Sequence, residues 1–295
     1  MKIKVKVLIL SALMLIFHQF DRSYASDLTT IKKNGVLRHL GIPYANFVTG
    51  SGDGMSVEIV KLFAQKLNVK YEYVEVDWDN AIPSLIGKKI KVNDKEITYQ
   101  ESTPIRGDLI ASGITVIPWR QQVINFSGAE FPTQVWLVAS AESKINPIKP
   151  SDDMDRDIAQ TKSLLTSMGK LKTCLGPSLY SLDKIQGLKL ILFPGPLNDI
   201  APALLQKHAE VAILDVPDLL VAMEKWPGKI KVIGPISKQQ EMAIGFEKNS
   251  VELKTEFDKF LEEIKKDGRY CAIVKKYYSS AFSFFPEFFK NCINK

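Results

Sequence analysis

The chain has few of the residues that build metal and redox centres. Its 295 residues include only three cysteines and three histidines. The cysteine spacings match no zinc or redox motif. The three histidines provide few candidates for a general acid or base. The sequence therefore predicts no metal site and no cofactor.

Long apolar runs and concentrated charge are missing from most of the chain. After residue 25, no segment is long and apolar enough to cross a membrane. The formal net charge is +6, and residues 1–25 hold half of it, with four basic residues against one acid. The mild positive excess of the remainder forms no basic patch, so nucleic acid is not expected as a partner.

Residues 1–25 have the pattern of a secretory signal peptide. Lysines at the start precede an apolar run from Val7 to Phe17, and the small residues Ser23 and Ala25 stand two positions apart. This order is typical of a signal that is removed, and we expect cleavage after Ala25. The mature protein is then expected to be soluble and located in the periplasm.

Residues 107–127 carry the strongest indication of a binding site. An apolar strand pattern is interrupted by Gly113 and followed by the hydroxyl of Thr115. Pro118 suits the first position of a helical turn, because its missing N–H would be unpaired there, and Arg120 follows. A guanidinium can bind both oxygens of a carboxylate while hydroxyl and backbone N–H groups bind the remaining acceptor sites. The alternative is an ordinary exposed arginine after a strand.

The order of the predicted elements indicates an α/β protein with two lobes. About 270 mature residues are many for one core, and from residue 172 strands and helices alternate as in a parallel sheet covered by helices. We predict that lobe 1 comprises residues 26–139 plus 241–295, with a polar hairpin inserted at 88–107. Lobe 2 then comprises residues 140–240. Two crossovers between the lobes would form a hinge beside a ligand cleft.

The C-terminal region holds two further features. In an oxidising compartment, Cys271 and Cys292 are the expected disulfide pair, closing a loop of about 20 residues that would stabilise the fold by roughly 3 kcal/mol. Cys174 lies in an apolar strand pattern and is expected to be a buried free thiol. Residues 282–289 are rich in phenylalanine. They either pack onto lobe 1 or offer an aromatic patch to a partner.

Several motifs, in their order along the chain, resemble one protein family. They are Gly35–Gly41 with Tyr44–Phe47, Gly54–Ile59, Trp78–Leu85, Gly113–Ser127 and Lys266–Tyr277. Together they resemble the type II periplasmic solute-binding proteins in the amino-acid-binding branch, the bacterial extracellular solute-binding protein family 3. The resemblance implies two lobes, each a mostly parallel sheet flanked by helices, hinged by two crossovers.

The resemblance also implies the main ligand-binding positions. Arg120 would hold the carboxylate of the ligand, assisted by Thr115 and by the backbone of Ser112 and Gly113. Asp215 would bind the ligand ammonium from the opposite lobe. Capping of the helix that follows is an equally good account of Asp215 from the sequence.

Three more positions follow from the family pattern. Tyr44 and Trp78 match aromatic positions that sandwich a ligand side chain in relatives, with ordinary packing as the alternative. Ser178, at the start of a lobe 2 helix, either points at the carboxylate or only caps its helix. The hairpin departs from the family pattern, and we expect it to lie away from the ligand crevice.

The leading hypothesis is a non-catalytic receptor. It would bind a small carboxylate-bearing solute, an amino acid first of all, and present it as a monomer to the membrane subunits of an ABC permease. The alternative is a periplasmic enzyme on the same scaffold, resembling cyclohexadienyl or arogenate dehydratases. Such an enzyme needs an acid or base in the cleft, for which Glu58 and Glu130 are the candidates. A sensory binding protein is a third hypothesis.

Overall fold

The protein is described by a computed structural model over residues 27–50, 52–93, 96–168, 174–176 and 190–293. Within them the chain forms two five-stranded sheets and a separate two-stranded hairpin. No helix in these residues is long and apolar enough to span a membrane. The predicted signal peptide and Ser178 lie outside the described residues.

The elements of the described residues are as follows. The strands are β1 (Val36–Gly41), β2 (Lys70–Glu75), β3 (Lys88–Asn93), β4 (Glu96–Ser102), β5 (Leu109–Thr115), β6 (Ile124–Thr133), β7 (Val135–Ser140), β8 (Cys174–Gly176), β9 (Leu190–Leu192), β10 (Val211–Asp215), β11 (Ile230–Pro235) and β12 (Gln240–Glu247). The helices are α1 (Leu28–Asn34), α2 (Met55–Leu67), α3 (Trp78–Ile86), α4 (Pro118–Val123), α5 (Met154–Ser167), α6 (Ile200–Leu205), α7 (Val216–Lys225), α8 (Val251–Asp267), α9 (Arg269–Tyr277), α10 (Ala281–Phe284) and α11 (Lys290–Ile293).

Lobe 1 is built on the first sheet, whose strand order is β2-β1-β5-β12-β6. β1 lies parallel to β2 and to β5, while β12 runs antiparallel between β5 and β6. β5 is buried along its whole length, as its continuous apolar run predicts for a central strand. The helices that cover this sheet share an aromatic core, which includes Phe63, Phe257 and Phe260.

Lobe 2 is built on the second sheet, in the order β11-β7-β10-β8-β9. β8, β9 and β10 are parallel, and β7 is antiparallel to both β10 and β11. The prediction that lobe 1 extends to residue 139 is wrong, because β7 pairs in the lobe 2 sheet. β7 is a mostly buried apolar run, and such a run does not indicate which of two sheets it joins.

The two crossovers therefore lie at Gln134 and between β11 and β12. They are hydrogen-bonded to one another: Gln134 Nε2 donates to Ser237 O at 2.8 Å, and Val135 N donates to Ser237 Oγ at 3.0 Å. Val216 N, at the start of α7, donates to Gln134 O at 2.9 Å. The hinge is thus tied directly to the first turn of a lobe 2 helix.

α5 was not predicted from the sequence. Asp153 occupies its N-cap position, and its carboxylate accepts hydrogen bonds from the backbone N–H groups of Asp155 and Arg156. An aspartate ahead of a helical run is a recognisable start signal. The helix buries few residues, so its apolar periodicity is weak.

The predicted hairpin is present as β3 and β4, paired antiparallel. Ile90 and Ile97 pack it against the lobe 1 cluster that contains Leu85 and Ile110. The hairpin precedes the first residue of β5, at the opposite end of that strand from Thr115. This position agrees with the expectation that it lies away from the crevice.

Most of the C-terminal phenylalanines pack onto lobe 1, whereas Phe284 lies against Trp136 of β7. Phe285 and Phe289 are buried in its main core, and the Phe289 ring lies 5.6 Å from the ring of Phe131. Cys271 and Cys292 form a disulfide with a Cα–Cα distance of 5.3 Å. The disulfide thus joins the terminal segment to α9.

Candidate ligand-binding cleft

The parallel strands of the two lobes end at facing edges. In lobe 1, the loops after Gly41, Glu75 and Thr115 leave the same edge of the sheet. In lobe 2, β10 ends at Asp215 and runs parallel to β8 and β9. Ligands of open α/β sheets bind at this carboxyl-terminal edge. Hydrogen bonds from Tyr44, in the loop after β1, to lobe 2 place the two edges against each other.

Arg120 is buried, so the alternative of an ordinary exposed arginine is wrong. Pro118 begins α4 as predicted, and the Arg120 residue is 5% exposed. Its Nη1 donates to Thr115 O at 3.0 Å, and its guanidinium carbon lies 5.4 Å from the centroid of the Trp119 ring. The helical turn therefore folds the guanidinium back over the end of β5.

β5 is irregular where the sequence predicts backbone contacts to a ligand. Gly113 has φ 63°, and a β-carbon at this position would lie 2.4 Å from the Phe47 ring. The register between β5 and β12 shifts in the same region, as is common beside functional sites. Ser112 uses its hydroxyl internally: it accepts from Ile42 N at 2.8 Å and donates to Ala111 O at 2.7 Å.

Tyr44 and Trp78 lie side by side on lobe 1. A tight turn presents Tyr44: its N–H donates to Val48 O at 3.0 Å, and Ala45 adopts φ 45°. The Tyr44 and Trp78 rings meet edge to face with centroids 5.3 Å apart. Tyr44 is buried, whereas Trp78 is only partly buried. The pair forms an aromatic wall above the end of the sheet.

Two aspartates of lobe 2 meet the Tyr44 hydroxyl. Tyr44 Oη lies 2.7 Å from Asp218 Oδ2 and 3.4 Å from Asp215 Oδ2. The aspartates are 8% and 7% exposed, respectively. Asp215 stands at the N-cap position of α7, but its carboxylate makes no capping hydrogen bond. Capping therefore does not account for Asp215.

The charge of Asp215 affects the ionisation of the Asp218 carboxyl. Burial raises the pKa of the Asp218 carboxyl well above its ordinary value, and the nearby charge of Asp215 raises it further. The hydrogen bond from Tyr44 acts in the opposite direction. Two acids this close do not both ionise readily.

A cavity of about 690 Å³ lies beside this cluster. Both lobes contribute to its wall, which consists of Ile42, Pro43, Glu75, Val76, Asp77, Trp78, Asp79, Asn80, Arg106, Pro194, Gly195, Pro196 and Leu197. In the described part of the chain, Arg120 and Asp215 are not among the lining residues. The cavity therefore adjoins the predicted charged positions through Trp78 and does not contain them.

Glu58 and Glu130 have partners within lobe 1. Glu58 accepts a hydrogen bond from Tyr277 Oη at 2.6 Å and forms an ion pair with Lys276. Glu130 is buried and accepts from Ser56 Oγ at 2.7 Å. Burial raises the pKa of Glu130 to about 7, against the effect of the Ser56 hydrogen bond. Among the described residues, the hydrogen bonds and ion pairs of both acids lie within lobe 1 and away from the cleft edge, so the sequence prediction of cleft carboxylates is wrong for both.

His39 is also internal to lobe 1. Its Nε2 lies 2.6 Å from Ala111 O and its Nδ1 2.9 Å from Tyr71 Oη. Because a carbonyl only accepts, Nε2 carries the proton and Nδ1 accepts from the tyrosine. Burial lowers the pKa of His39 to about 4, with the Ala111 hydrogen bond opposing. His39 is thus a neutral structural residue near β5.

The chain belongs to the bacterial extracellular solute-binding proteins, family 3, whose model matches residues 41–280. It is 25% identical over 232 residues to the histidine-binding periplasmic protein of Salmonella typhimurium, covering 76% of this chain and 78% of that protein. It is 24% identical over 232 residues to the membrane-bound lytic murein transglycosylase F of Desulfosudis oleivorans, covering 78% of this chain. The chain spans only 45% of that relative's length.

A solved structure shares the fold. An ancestral amino-acid-binding protein, a precursor of cyclohexadienyl dehydratase, matches with a TM-score of 0.63 at 20% identity, over 85% of this chain and 98% of its own. The two-lobed α/β architecture expected from the sequence is therefore correct.

Asp218 is the cleft residue that sequence reasoning missed. An acid in the first turn of a helix is ordinarily explained by the helix dipole, so nothing in the sequence singled it out. The available signal was the spacing of Asp215 and Asp218, which places both at the first turn of α7. Their shared contact with Tyr44 depends on how the lobes meet.

Proposed function

We propose that the protein is an exported receptor that binds an amino acid between its lobes for uptake through an ABC permease. The supporting observation is the division of charge between the two edges. Arg120 lies on lobe 1, Asp215 lies on lobe 2, and both are more than nine-tenths buried. A zwitterion offers a carboxylate to the first and an ammonium to the second. Such a ligand favours the closed form because only that form offers both partners.

The roles of the other predicted residues follow from the same assignment. Thr115 and the backbone at Ser112 and Gly113 assist Arg120 with the carboxylate. Ser178 would reach the carboxylate from lobe 2. Tyr44 and Trp78 then contact the ligand side chain, and the adjoining cavity leaves room for it. Family membership and the likeness to a histidine-binding protein support the amino-acid class.

Thermal unfolding tests the receptor proposal. Each standard L-amino acid is added to the purified mature protein, and the midpoint of unfolding is recorded. A ligand at 100 times its Kd adds about 2.7 kcal/mol to the free energy of unfolding, which is a rise of several degrees for a chain of this size. No shift with any amino acid contradicts the proposal.

A matched pair of variants then tests the site. Arg120→Met keeps an unbranched side chain but removes the guanidinium, and we expect the ligand-induced shift to vanish. Arg156→Met is the control, because Arg156 is exposed on α5 and is not among the described residues that line the adjoining cavity. Equal shifts in the two variants would remove Arg120 from the binding site.

An enzyme on this scaffold is the second candidate function. Asp218 favours it, because a buried carboxyl whose pKa is raised is suited to act as a general acid. The fold is compatible with this class, since an ancestral amino-acid-binding protein of the same fold is a precursor of cyclohexadienyl dehydratase. Incubation with prephenate and with arogenate, followed by detection of the aromatic product, tests this function. Product formation that Asp218→Asn abolishes would replace the receptor proposal.

A further inference from the structure

We infer that the C-terminal tail, residues 281–293, is a brace that holds the two lobes together. The tail is fixed to lobe 1 at several points, and one of its rings packs against lobe 2 beside the hinge. The brace favours the closed arrangement of the lobes through contacts of the chain itself. The inference concerns the lobes alone and does not depend on which solute binds between them.

The tail follows the part of the chain that matches the family and is fixed to lobe 1. The family match ends at residue 280, whereas α10, α11 and Cys292 come after it. Cys292 is bound to Cys271 of α9 by the disulfide. The ring centroid of the buried Phe289 lies 5.6 Å from that of Phe131 in β6. The tail therefore moves with lobe 1.

One ring of the tail reaches lobe 2. The centroid of the Phe284 ring lies 5.7 Å from that of Trp136 in β7. Phe284 is 37% exposed, so burial in the lobe 1 core does not account for its position. Trp136 packs against the main core of lobe 1 and also against the core of lobe 2. Phe284 thus adds a ring contact at the place where the two cores meet.

Trp136 lies beside both crossovers. It comes two residues after Gln134 and pairs with Pro235 at the end of β11. Because a rotation about the crossovers turns β7 relative to lobe 1, it changes the contact between Trp136 and Phe284. A contact between two aromatic rings shifts an equilibrium by roughly two- to tenfold. The Phe284 ring thus biases the equilibrium between closed and open lobes.

Apolar residues of α7 add to this junction. Val216 and Leu220 of lobe 2 are buried in the same cluster as Ala281 and Phe285 of the tail. The cluster thus continues from lobe 1 into the first turns of a lobe 2 helix. Separation of the lobes would expose part of it to water, which is unfavourable in proportion to the apolar area exposed.

A second contact between the lobes is held by the residues just before the tail. Ala45 N donates to Asn198 Oδ1 of lobe 2 at 2.8 Å. The neighbouring Asn46 donates through its backbone N–H to Tyr278 Oη at 2.8 Å and through Nδ2 to Tyr277 O at 2.7 Å. The C-terminal region therefore also positions the turn that meets lobe 2.

Single-molecule FRET without added ligand tests the inference. Dyes are attached through p-acetylphenylalanine at positions 100 and 210, which are exposed and lie at the outer ends of the two lobes, where a hinge rotation gives the largest displacement. The measured quantity is the ratio of open to closed molecules. Phe284→Ala should raise this ratio roughly two- to tenfold. Phe284→Tyr keeps the ring and should retain the ratio of the unmodified protein.

Phe288→Ala is the matched control. Phe288 belongs to the same tail, but its ring centroid lies 4.9 Å from that of Phe289 and it packs on the lobe 1 cluster. The ratio of open to closed molecules in this variant should match that of the unmodified protein. An unchanged ratio in Phe284→Ala, or an equal rise in Phe288→Ala, overturns the inference. Either result leaves the receptor proposal as it stands, because the experiment contains no ligand.

Discussion

The two edges of the cleft carry different kinds of side chain. Lobe 1 contributes aromatic rings and a guanidinium, held by a strand end and a short helical turn. Lobe 2 contributes two aspartates at the start of α7. Neither edge alone matches a dipolar solute. The difference indicates that recognition, in the proposed function, is a property of the closed form and not of either lobe.

A second contrast concerns the buried acids with raised pKa values. Glu130 lies inside lobe 1 and is held by Ser56, whereas Asp218 lies where the lobes meet. The first affects only the stability of one lobe. Asp218 is placed to contact a ligand that enters the cleft. Variants can separate these two roles.

The largest expected effect comes from removing the charge on either edge. Arg120→Met and Asp215→Asn should each weaken amino-acid binding by about 3–4 kcal/mol, because each leaves a buried charge of the ligand without its partner. The double variant should lose less than the sum, since the two charges act on one ligand. Isothermal titration measures the affinities. Strictly additive losses would show that the edges bind independently.

Glu130→Gln should change how stability depends on pH. The folded-state pKa of Glu130, about 7, lies above its ordinary value of 4.5. Its stabilising contribution is therefore complete below pH 4.5 and is lost as the pH rises to 7. Over this window the variant should gain about 3 kcal/mol relative to the unmodified protein. Urea unfolding at pH 4.5 and pH 7.5 gives the difference.

For His39, which also lies in lobe 1, we expect stability to change with pH in the opposite direction. Its folded-state pKa, about 4, is below the ordinary 6.5, so stability is lost as the pH falls through that window. The comparison of Glu130→Gln with the unmodified protein cancels this contribution. If the free energies of unfolding of Glu130→Gln and the unmodified protein differ by the same amount at both pH values, the raised pKa of Glu130 is contradicted.

Gly113→Ala should destabilise lobe 1 by about 2–3 kcal/mol. The left-handed backbone costs an alanine about 1 kcal/mol or more, and the contact with the Phe47 ring adds overpacking. Gly50→Ala is the control, since a β-carbon there meets nothing within 4 Å and its φ is not in the left-handed region. Equal unfolding midpoints for the two variants would show that the irregular part of β5 accepts a β-carbon at position 113.

Tyr44→Phe should have the smallest effect, about 1 kcal/mol of stability, the usual net contribution of one hydrogen bond. The variant keeps the ring packing against Trp78 and removes the contact with the lobe 2 acids. Tyr99→Phe is the control, because Tyr99 is exposed on the hairpin. A loss as large as that in Gly113→Ala would mean that this hydroxyl is a main link between the lobes.

Local patterns predicted most of the elements. The strand that ends at Thr115, the helical turn that Pro118 begins and the polar hairpin occur as expected, because apolar runs and helix-start signals act over a few residues. α5 was missed because its helix face is weakly apolar. The strand Val135–Ser140 was placed in the wrong lobe, because its choice of partner depends on distant segments.

The family, most of the order of elements and the turn that carries Arg120 could be predicted from the sequence. These depend on short-range side-chain chemistry and on motifs that can be seen in one dimension. The contact of Asp215 and Asp218 with the Tyr44 hydroxyl, and the place of Glu58 and Glu130 within lobe 1, depend instead on how distant segments pack. Tyr44 and Asp218 are far apart in the chain, and no local pattern encodes which groups two folded lobes bring together.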